Sequence, residues 1–213
     1  MAVMANRRTV MTLFSDPTSA YSHQARMVLM EKGITVDIVN IDPAEMPEDL
    51  IDLNPYHTVP TLVDRDLVLY TAHVSMEQLD ERFPHPPLMQ VDQVSRARAR
   101  LALYRLDRDW YRLYDAIVGR TEKQSAKERK ALRDSIIASS EIFASRPFFL
   151  SDELTLMDCT VAPLLWRLPQ LGIELPPQAK AIHHYMDGIS GRHSFRASLT
   201  EQEREIRDRG RRV

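Results

Sequence analysis

The stretch Asn54-Pro55-Tyr56-His57-Thr58-Val59-Pro60 decides the fold, because two short apolar runs follow it directly. The runs occupy 61–64 and 67–70, and they flank the turn residues Arg65-Asp66. Strand-forming runs on either side of a two-residue turn predict a β-hairpin. Residues 72–82 then have the pattern of a helix. The sequence therefore predicts a loop with a Val-Pro step, two strands and a helix in succession.

The residues before this stretch predict a βαβ unit. Strand formers dominate 9–14 and 35–40. The segment between them, 21–32, has an apolar helical face and is stopped by Gly33. A short helix is predicted over 48–53. The first 82 residues are thus predicted to fold as βαβ-α-ββα.

Strand signals largely vanish after 83–87, whose three prolines predict a stiff linker. Apolar residues beyond it recur at steps of three and four, the period of helices packed on a core. Helices are predicted over 91–118 and 122–143, from Thr155 onward, over 179–189 and over 199–209. The charged tail at 204–212 is expected to fray. These elements predict an α/β domain at 1–83, a linker at 84–91 and an all-helical domain at 92–213.

The composition limits the classes of function that the protein can have. A formal net charge of -2 on 213 residues argues against a nucleic-acid binder, so no sequence-specific nucleic acid contact is expected. The single cysteine, Cys159, excludes an internal disulfide and favours a reducing cytoplasm. No apolar run approaches the length of about 18 residues that a membrane span needs, and the first eight residues lack the core of a signal peptide. No spacing of His, Cys or acidic residues predicts a metal site.

The segment Thr155-Leu156-Met157-Asp158 predicts a capping box. The hydroxyl at the N-cap accepts from the first turn, and the carboxylate three residues on accepts from the N-cap peptide N–H. Loss of such a cap destabilises a helix by roughly 0.5–2 kcal/mol. Asp158 is therefore interpreted as a structural residue.

These features resemble the glutathione transferase superfamily. The N-terminal order is similar to its thioredoxin-fold domain, the helical remainder to its second domain, and Val59-Pro60 to its cis-proline loop. Within the superfamily the chain resembles the stringent starvation proteins, a bacterial family that associates with RNA polymerase. The longest similar strings are Leu79-Asp80-Glu81-Arg82-Phe83-Pro84-His85-Pro86-Pro87-Leu88-Met89 and Ala162-Pro163-Leu164-Leu165-Trp166-Arg167-Leu168-Pro169-Gln170-Leu171-Gly172-Ile173-Glu174. The resemblance covers nearly the whole chain and implies a homodimer that binds RNA polymerase.

Ser19 occupies the position where the resemblance places a nucleophile. Related transferases hold a thiol or hydroxyl at the start of the first helix, where peptide N–H groups and the helix dipole stabilise the glutathione thiolate. The proline that usually follows is replaced by Ala20. The competing interpretation is that Ser19 is a helix-capping residue.

Thr71-Ala72 stands where transferases carry a Glu/Gln-Ser pair that holds the γ-glutamyl end of glutathione. The hydroxyl of Thr71 can accept a hydrogen bond but cannot pair with an ammonium. Loss of one partner of such a pair weakens binding by about 2–5 kcal/mol. Val59 and Pro60 still offer backbone contacts, so glutathione is expected at most as a weak ligand, and no cofactor is required.

Pro84-His85-Pro86 cannot lie inside a helix, and its flanking prolines fix the position of the histidine. The resemblance implies that this segment forms a surface pocket for protein binding; the alternative is a rigid interdomain linker. The chain departs from the family pattern at Asp92, which replaces an aromatic residue.

Three functions remain open. The favoured hypothesis is a non-catalytic transcription regulator that binds RNA polymerase in the stress response through Pro84, His85 and Pro86. The alternative is a glutathione transferase or thiol-dependent reductase that uses Ser19. A weaker alternative is a purely structural dimer module.

Overall fold

A computed structural model describes residues 10–210, with side chains to 207. The first unit contains β1 (Thr12–Ser15), α1 (Ala20–Lys32), β2 (Asp37–Asn40), α2 (Glu48–Leu53), β3 (Thr61–Asp64), β4 (Leu67–Leu69) and α3 (Ala72–Arg82). The strands form one sheet in the order β2-β1-β3-β4. β1 pairs with β2 in parallel and with β3 antiparallel, and β3 and β4 form the predicted hairpin. The predicted thioredoxin-like topology is confirmed.

Helix α1 connects the two halves of the molecule. It begins after Ser19 and ends at Gly33, whose φ of 62° lies in the left-handed region that glycine adopts without strain. Most of its residues are buried, because it packs against α3 on one side and against helices of the second unit on others. The stop that Gly33 predicts is confirmed.

The second unit is helical. It contains α4 (Gln93–Leu106), α5 (Arg112–Ile117), α6 (Ala126–Ala138), α7 (Ser140–Ser145), α8 (Leu156–Arg167), α9 (Lys180–Gly191), α10 (His193–Ser198) and α11 (Glu201–Gly210). The all-helical prediction for this part of the chain is confirmed. The exact domain boundaries at 83/84 and 91/92 stay a prediction, and the first nine and last three residues of the predicted domains lie outside the described ones.

Several element predictions were wrong in detail. The helix predicted over 91–118 is interrupted by a π turn at Asp107–Tyr111, where the peptide N–H of Arg112 donates to the carbonyl of Asp107. The helix predicted over 122–143 breaks at Ser139, whose hydroxyl donates to the Ser135 carbonyl at 3.0 Å and competes with the regular ladder. Helix α10 was not predicted.

The capping box that opens α8 is confirmed. The Asp158 carboxylate accepts from the peptide N–H of Thr155 at 2.8 Å, and the Thr155 hydroxyl accepts from Met157 at 3.3 Å. Asp158 also accepts from the peptide N–H of Phe149 at 2.8 Å and from the Tyr185 hydroxyl at 2.9 Å. Asp158 thus ties three segments of the second unit together, in keeping with its structural interpretation.

Candidate functional site

A cleft of about 310 Å³ lies between the hairpin side of the first unit and the π turn of the second. Its described lining consists of Tyr21, Thr58, Val59, Pro60, Tyr70, Thr71, Ala72, His73, Asp107 and Asp115. Three of the residues predicted for ligand binding, Val59, Pro60 and Thr71, are therefore brought together. The Val59-Pro60 peptide bond is cis.

Asn54 shapes the loop that leads to this bond. Its buried side-chain amide donates to the Thr58 carbonyl at 2.8 Å and to the Thr61 hydroxyl at 3.0 Å, and its oxygen accepts from the peptide N–H of Tyr56 at 2.9 Å. The Asn-Pro segment thereby fixes the approach of the backbone to Pro60.

Ser19 is not among the lining residues of the cleft. Its hydroxyl accepts from the peptide N–H groups of Tyr21 at 3.2 Å and Ser22 at 3.5 Å, so it caps helix α1. The geometry supports the capping interpretation, since an oxygen engaged with those N–H groups competes with a thiolate for the same donors.

Tyr21, which sequence reasoning missed, lines the cleft instead. Its hydroxyl donates to the Asp115 carboxylate at 2.9 Å. Burial, reinforced by that carboxylate, raises the pKa of Tyr21 far above its ordinary value. The phenol stays protonated at neutral pH and remains a hydrogen-bond donor.

Thr71 caps helix α3, because its hydroxyl accepts from the peptide N–H of Val74 at 3.4 Å. Next to it, burial lowers the pKa of His73, so the ring is neutral near pH 7. The carboxylates in the cleft come from Asp107 and Asp115, which lie on the far wall rather than at the predicted anchor.

The second predicted site is the proline loop, Pro84–Pro87, whose residues are all exposed. The buried ammonium of Lys32 donates to the Pro86 carbonyl at 2.5 Å and to the Asp80 carboxylate at 2.5 Å. The His85-Pro86 bond is cis. These contacts hold the backbone of the loop while His85 faces solvent.

The chain that leaves the proline loop is fixed as well. Asp80 accepts from the peptide N–H of Leu88 at 2.8 Å, and the Leu88 carbonyl accepts from Leu156 at 2.9 Å. Asp92 caps α4 by accepting from Ser95 at 2.8 Å. A groove of about 830 Å³ starts at Pro87 and runs beside α4. The carboxylate that departs from the family pattern therefore stands in this groove as a helix cap.

A buried cluster of charged side chains holds the loop that precedes α1. Glu203 of α11 pairs with Arg26 at 2.6 Å and with Arg167. Arg167 donates to the Thr18 carbonyl through two nitrogens at 3.0 and 3.1 Å. The charged tail, for which fraying is expected, is helical as far as Gly210, and Arg207 donates to the Trp166 carbonyl at 2.7 Å.

Metal chemistry and thiol chemistry find no support in the residues that the structure describes. No group of three or more His, Cys, Asp or Glu side chains in that part of the chain is placed to hold a metal ion. Cys159 is completely buried, and burial raises the pKa of its thiol well above the ordinary value. None of the helices within 10–210 is long and apolar enough to cross a membrane.

Known proteins match the chain over both units. The glutathione S-transferase N-terminal domain model matches residues 18–82, and the C-terminal domain model matches residues 94–193. The stringent starvation protein A homolog of Coxiella burnetii is 52% identical over 203 residues, which covers 95% of this chain and 97% of that protein. The chain belongs to the stringent starvation protein A family. The homolog of Pasteurella multocida is 48% identical over 200 residues, covering 93% of this chain and 94% of that protein.

The fold of this stringent starvation protein A family member is also that of solved glutathione transferases. Glutathione S-transferase unclassified 2 from Bombyx mori superposes with a TM-score of 0.83 at 20% identity, covering 96% of this chain and 98% of that one. Glutathione transferase Omega 3C from Trametes versicolor gives a TM-score of 0.78 at 20% identity, covering 99% and 95%. At such identities the likeness establishes the fold alone. The chemistry has to be inferred from the residues of the site.

Proposed function

We propose that this member of the stringent starvation protein A family is a cytoplasmic transcription regulator that binds RNA polymerase through the proline loop, without catalysing glutathione transfer. RNA polymerase is proposed as the partner because of the family resemblance. The surface comes from Pro84, His85 and Pro86, which are exposed side chains on a fixed backbone.

The observation that supports this docking surface most strongly is the contact of Lys32 beneath it. A buried ammonium shared between Asp80 and the Pro86 carbonyl holds the loop in one conformation. A loop that is already ordered loses little conformational entropy when a partner docks. His85 and the two flanking prolines thereby become a preorganised contact patch.

The cleft supports the non-catalytic part of the proposal. Ser19 is engaged as a helix cap. Tyr21 keeps its proton, because burial and Asp115 both raise its pKa. Among the described lining residues there is no Lys or Arg that would stabilise a thiolate.

The protein is proposed to act as a homodimer. Helix α4 carries three exposed apolar side chains, Val94, Leu101 and Tyr104, at 62%, 58% and 59% exposure. Their spacing of seven and three residues places them along one stripe of the helix. An isologous contact would bury this stripe against its copy.

Capture of purified bacterial RNA polymerase by the immobilised chain tests the proposal. The wild type is expected to retain polymerase at physiological salt, about 0.15 M, and the Pro84→Ala/His85→Ala double variant is expected to lose it. A Lys180→Ala variant, changed at the start of the distant helix α9, serves as the matched surface control. Failure of the wild type to retain polymerase would contradict the proposal.

A glutathione transferase is the second candidate, and the cleft lined by Val59 and Pro60 favours it. Calorimetry with glutathione, followed by turnover of chlorodinitrobenzene, separates the two functions. Turnover in the wild type that disappears in Ser19→Ala would establish the enzyme and reverse the ranking.

A further inference from the structure

We infer that the cleft binds a linear aliphatic polyamine, with Asp107 and Asp115 holding its ammonium groups. The site is separate from the proline loop, and the ligand is opposite in charge to glutathione. The inference rests on the charge of the cleft walls, the geometry of the π turn and the apolar surface that faces it.

The charges of the cleft select cations. Its described lining contains two carboxylates and no Lys or Arg. Because burial lowers the pKa of His73, that ring adds no positive charge near pH 7. Glutathione brings two carboxylates and one ammonium, so the cleft walls repel most of its charge. A polyamine brings only cations, and each ammonium group is attracted by a nearby carboxylate more strongly at a protein surface than in bulk water.

The π turn brings the two carboxylates to one wall. On a regular helix, residues eight positions apart point about 80° away from each other, at about 100° per residue. The turn at Asp107–Tyr111 inserts one extra residue, shown by the i+5 bond from Arg112 to Asp107. Asp107 and Asp115 are then oriented like residues seven positions apart on a regular helix, about 20° from each other around the axis. Such π turns are frequent at functional sites.

The charges of Asp107 and Asp115 interact. Partial desolvation raises the pKa of Asp115, the Tyr21 hydrogen bond opposes this rise, and the charge of Asp107 adds to it. The two carboxylates therefore repel each other. Ammonium groups between them would remove the repulsion, while Tyr21 holds the Asp115 carboxylate in position at 2.9 Å.

The opposite wall suits the methylene chain of a polyamine. Val59, Pro60 and Ala72 present apolar surface, and the aromatic rings of Tyr21 and Tyr70 also line the cleft. Aromatic faces attract ammonium groups through the negative charge of the ring face. The volume of about 310 Å³ accommodates a small, slender molecule. This combination of carboxylates and aromatic or aliphatic surface is what a chain of methylenes between ammonium groups requires.

His73 supplies a second, independent polar feature. Its Nε2 is buried and has no hydrogen-bond partner among the described residues. Buried polar atoms are nearly always hydrogen-bonded in native proteins. A ligand nitrogen entering beside the neutral ring would provide the missing partner.

Isothermal titration of the full chain with spermidine and putrescine tests the inference, at about 0.15 M salt. Spermidine is expected to bind, and Asp107→Asn and Asp115→Asn are each expected to weaken binding at least about tenfold. Asp109→Asn is the matched control, since Asp109 is exposed in the same π turn but does not line the cleft. The neutral analogue 1,4-butanediol is expected to give no heat.

Three results would overturn the inference: no binding of spermidine by the wild type, an equal loss in Asp109→Asn, or tighter binding of glutathione than of spermidine. Thermal melting checks that the variants fold. If they do not, the His73 ring resonances of the wild type decide the matter, since they must shift on addition of spermidine. Capture of RNA polymerase is tested separately, with the proline-loop variants. A negative result for polyamine binding therefore does not contradict the docking proposal, and a negative result for docking does not contradict polyamine binding.

Discussion

The ammonium of Lys32 lies 2.5 Å from the carboxylate of Asp80, and both side chains are buried. Lys32 comes from the end of α1 and Asp80 from the last turns of α3, 48 residues later. Both groups also bond the backbone at the proline loop, Lys32 to the Pro86 carbonyl and Asp80 to the Leu88 N–H. One ion pair therefore stabilises the first unit and orders the proposed docking surface.

Replacement of Lys32 by Met is expected to destabilise the protein by about 3–5 kcal/mol, because it leaves Asp80 as an unpaired buried charge. Urea unfolding measures the loss. The control is Lys130→Met, whose partner Asp134 is exposed one helical turn away, and a loss of only about 0.3–0.5 kcal/mol is expected there. Equal losses in the two variants would show that the buried pair contributes no more than a surface pair. Polymerase capture by Lys32→Met is expected to fall with the order of the loop.

The free energy of unfolding should decrease below pH 6.5 because of His23. Burial, followed by the charges of Arg167 and Arg26, holds the pKa of His23 well below its ordinary value. The neutral ring accepts from Arg167 at Nδ1 and bonds Ser198 at Nε2, at 3.1 and 2.9 Å. Below about pH 6.5 His23 binds a proton in the unfolded chain but stays neutral in the native state. The free energy of unfolding therefore falls by about 1.4 kcal/mol for each unit by which the pH is lowered.

Urea unfolding of wild type and His23→Gln at several values below pH 6.5 checks this expectation. His73, whose pKa burial also lowers, contributes in both proteins, so the difference between the two slopes isolates His23. A wild type and a variant with the same pH dependence would mean that His23 titrates alike in the folded and unfolded chains.

Ser19→Ala is expected to lower stability by about 0.5–2 kcal/mol through loss of the helix cap, whereas Ser19→Gly should cost only a few tenths. Neither variant should change polymerase binding. Thermal melts and chlorodinitrobenzene turnover are measured on the same preparations. A stability unchanged in Ser19→Ala would argue against the capping assignment.

Leu101→Glu is expected to convert the proposed homodimer into a monomer, because it places a charge in the apolar stripe of α4. Light scattering after size exclusion would then report the chain mass of 24.6 kDa rather than twice that value. Val118→Glu is the control, since Val118 is also exposed but follows α5 and lies outside the stripe. A dimer that survives Leu101→Glu would place the interface elsewhere.

The regular elements of the fold follow from local patterns in the sequence. The helix at 72–82 and the stop at Gly33 are as predicted, because periodicity and a left-handed glycine act within one or two turns. The Thr155–Asp158 cap is equally local. Such features need no knowledge of what packs against them.

The candidate sites depend on contacts that no local pattern encodes. Asp107 and Asp115 are eight residues apart, a spacing that leaves two side chains about 80° apart on a regular helix, and no residue type predicts the π turn that brings them closer to one direction. Arg26 and Glu203 are 177 residues apart, and charged residues are ordinarily expected at the surface. Only the tertiary structure shows that they meet in the interior and fix the loop before α1.

The most direct test of the docking proposal is an equilibrium titration of fluorescently labelled bacterial RNA polymerase with four proteins. These are the wild type, Ser19→Ala, Asp107→Asn and the Pro84→Ala/His85→Ala/Pro86→Ala variant. The first three are expected to bind alike, and the last at least about tenfold more weakly. Equal affinity of the proline-loop variant and the wild type, with both folded, would contradict the claim that the Pro84–Pro87 loop is the docking surface.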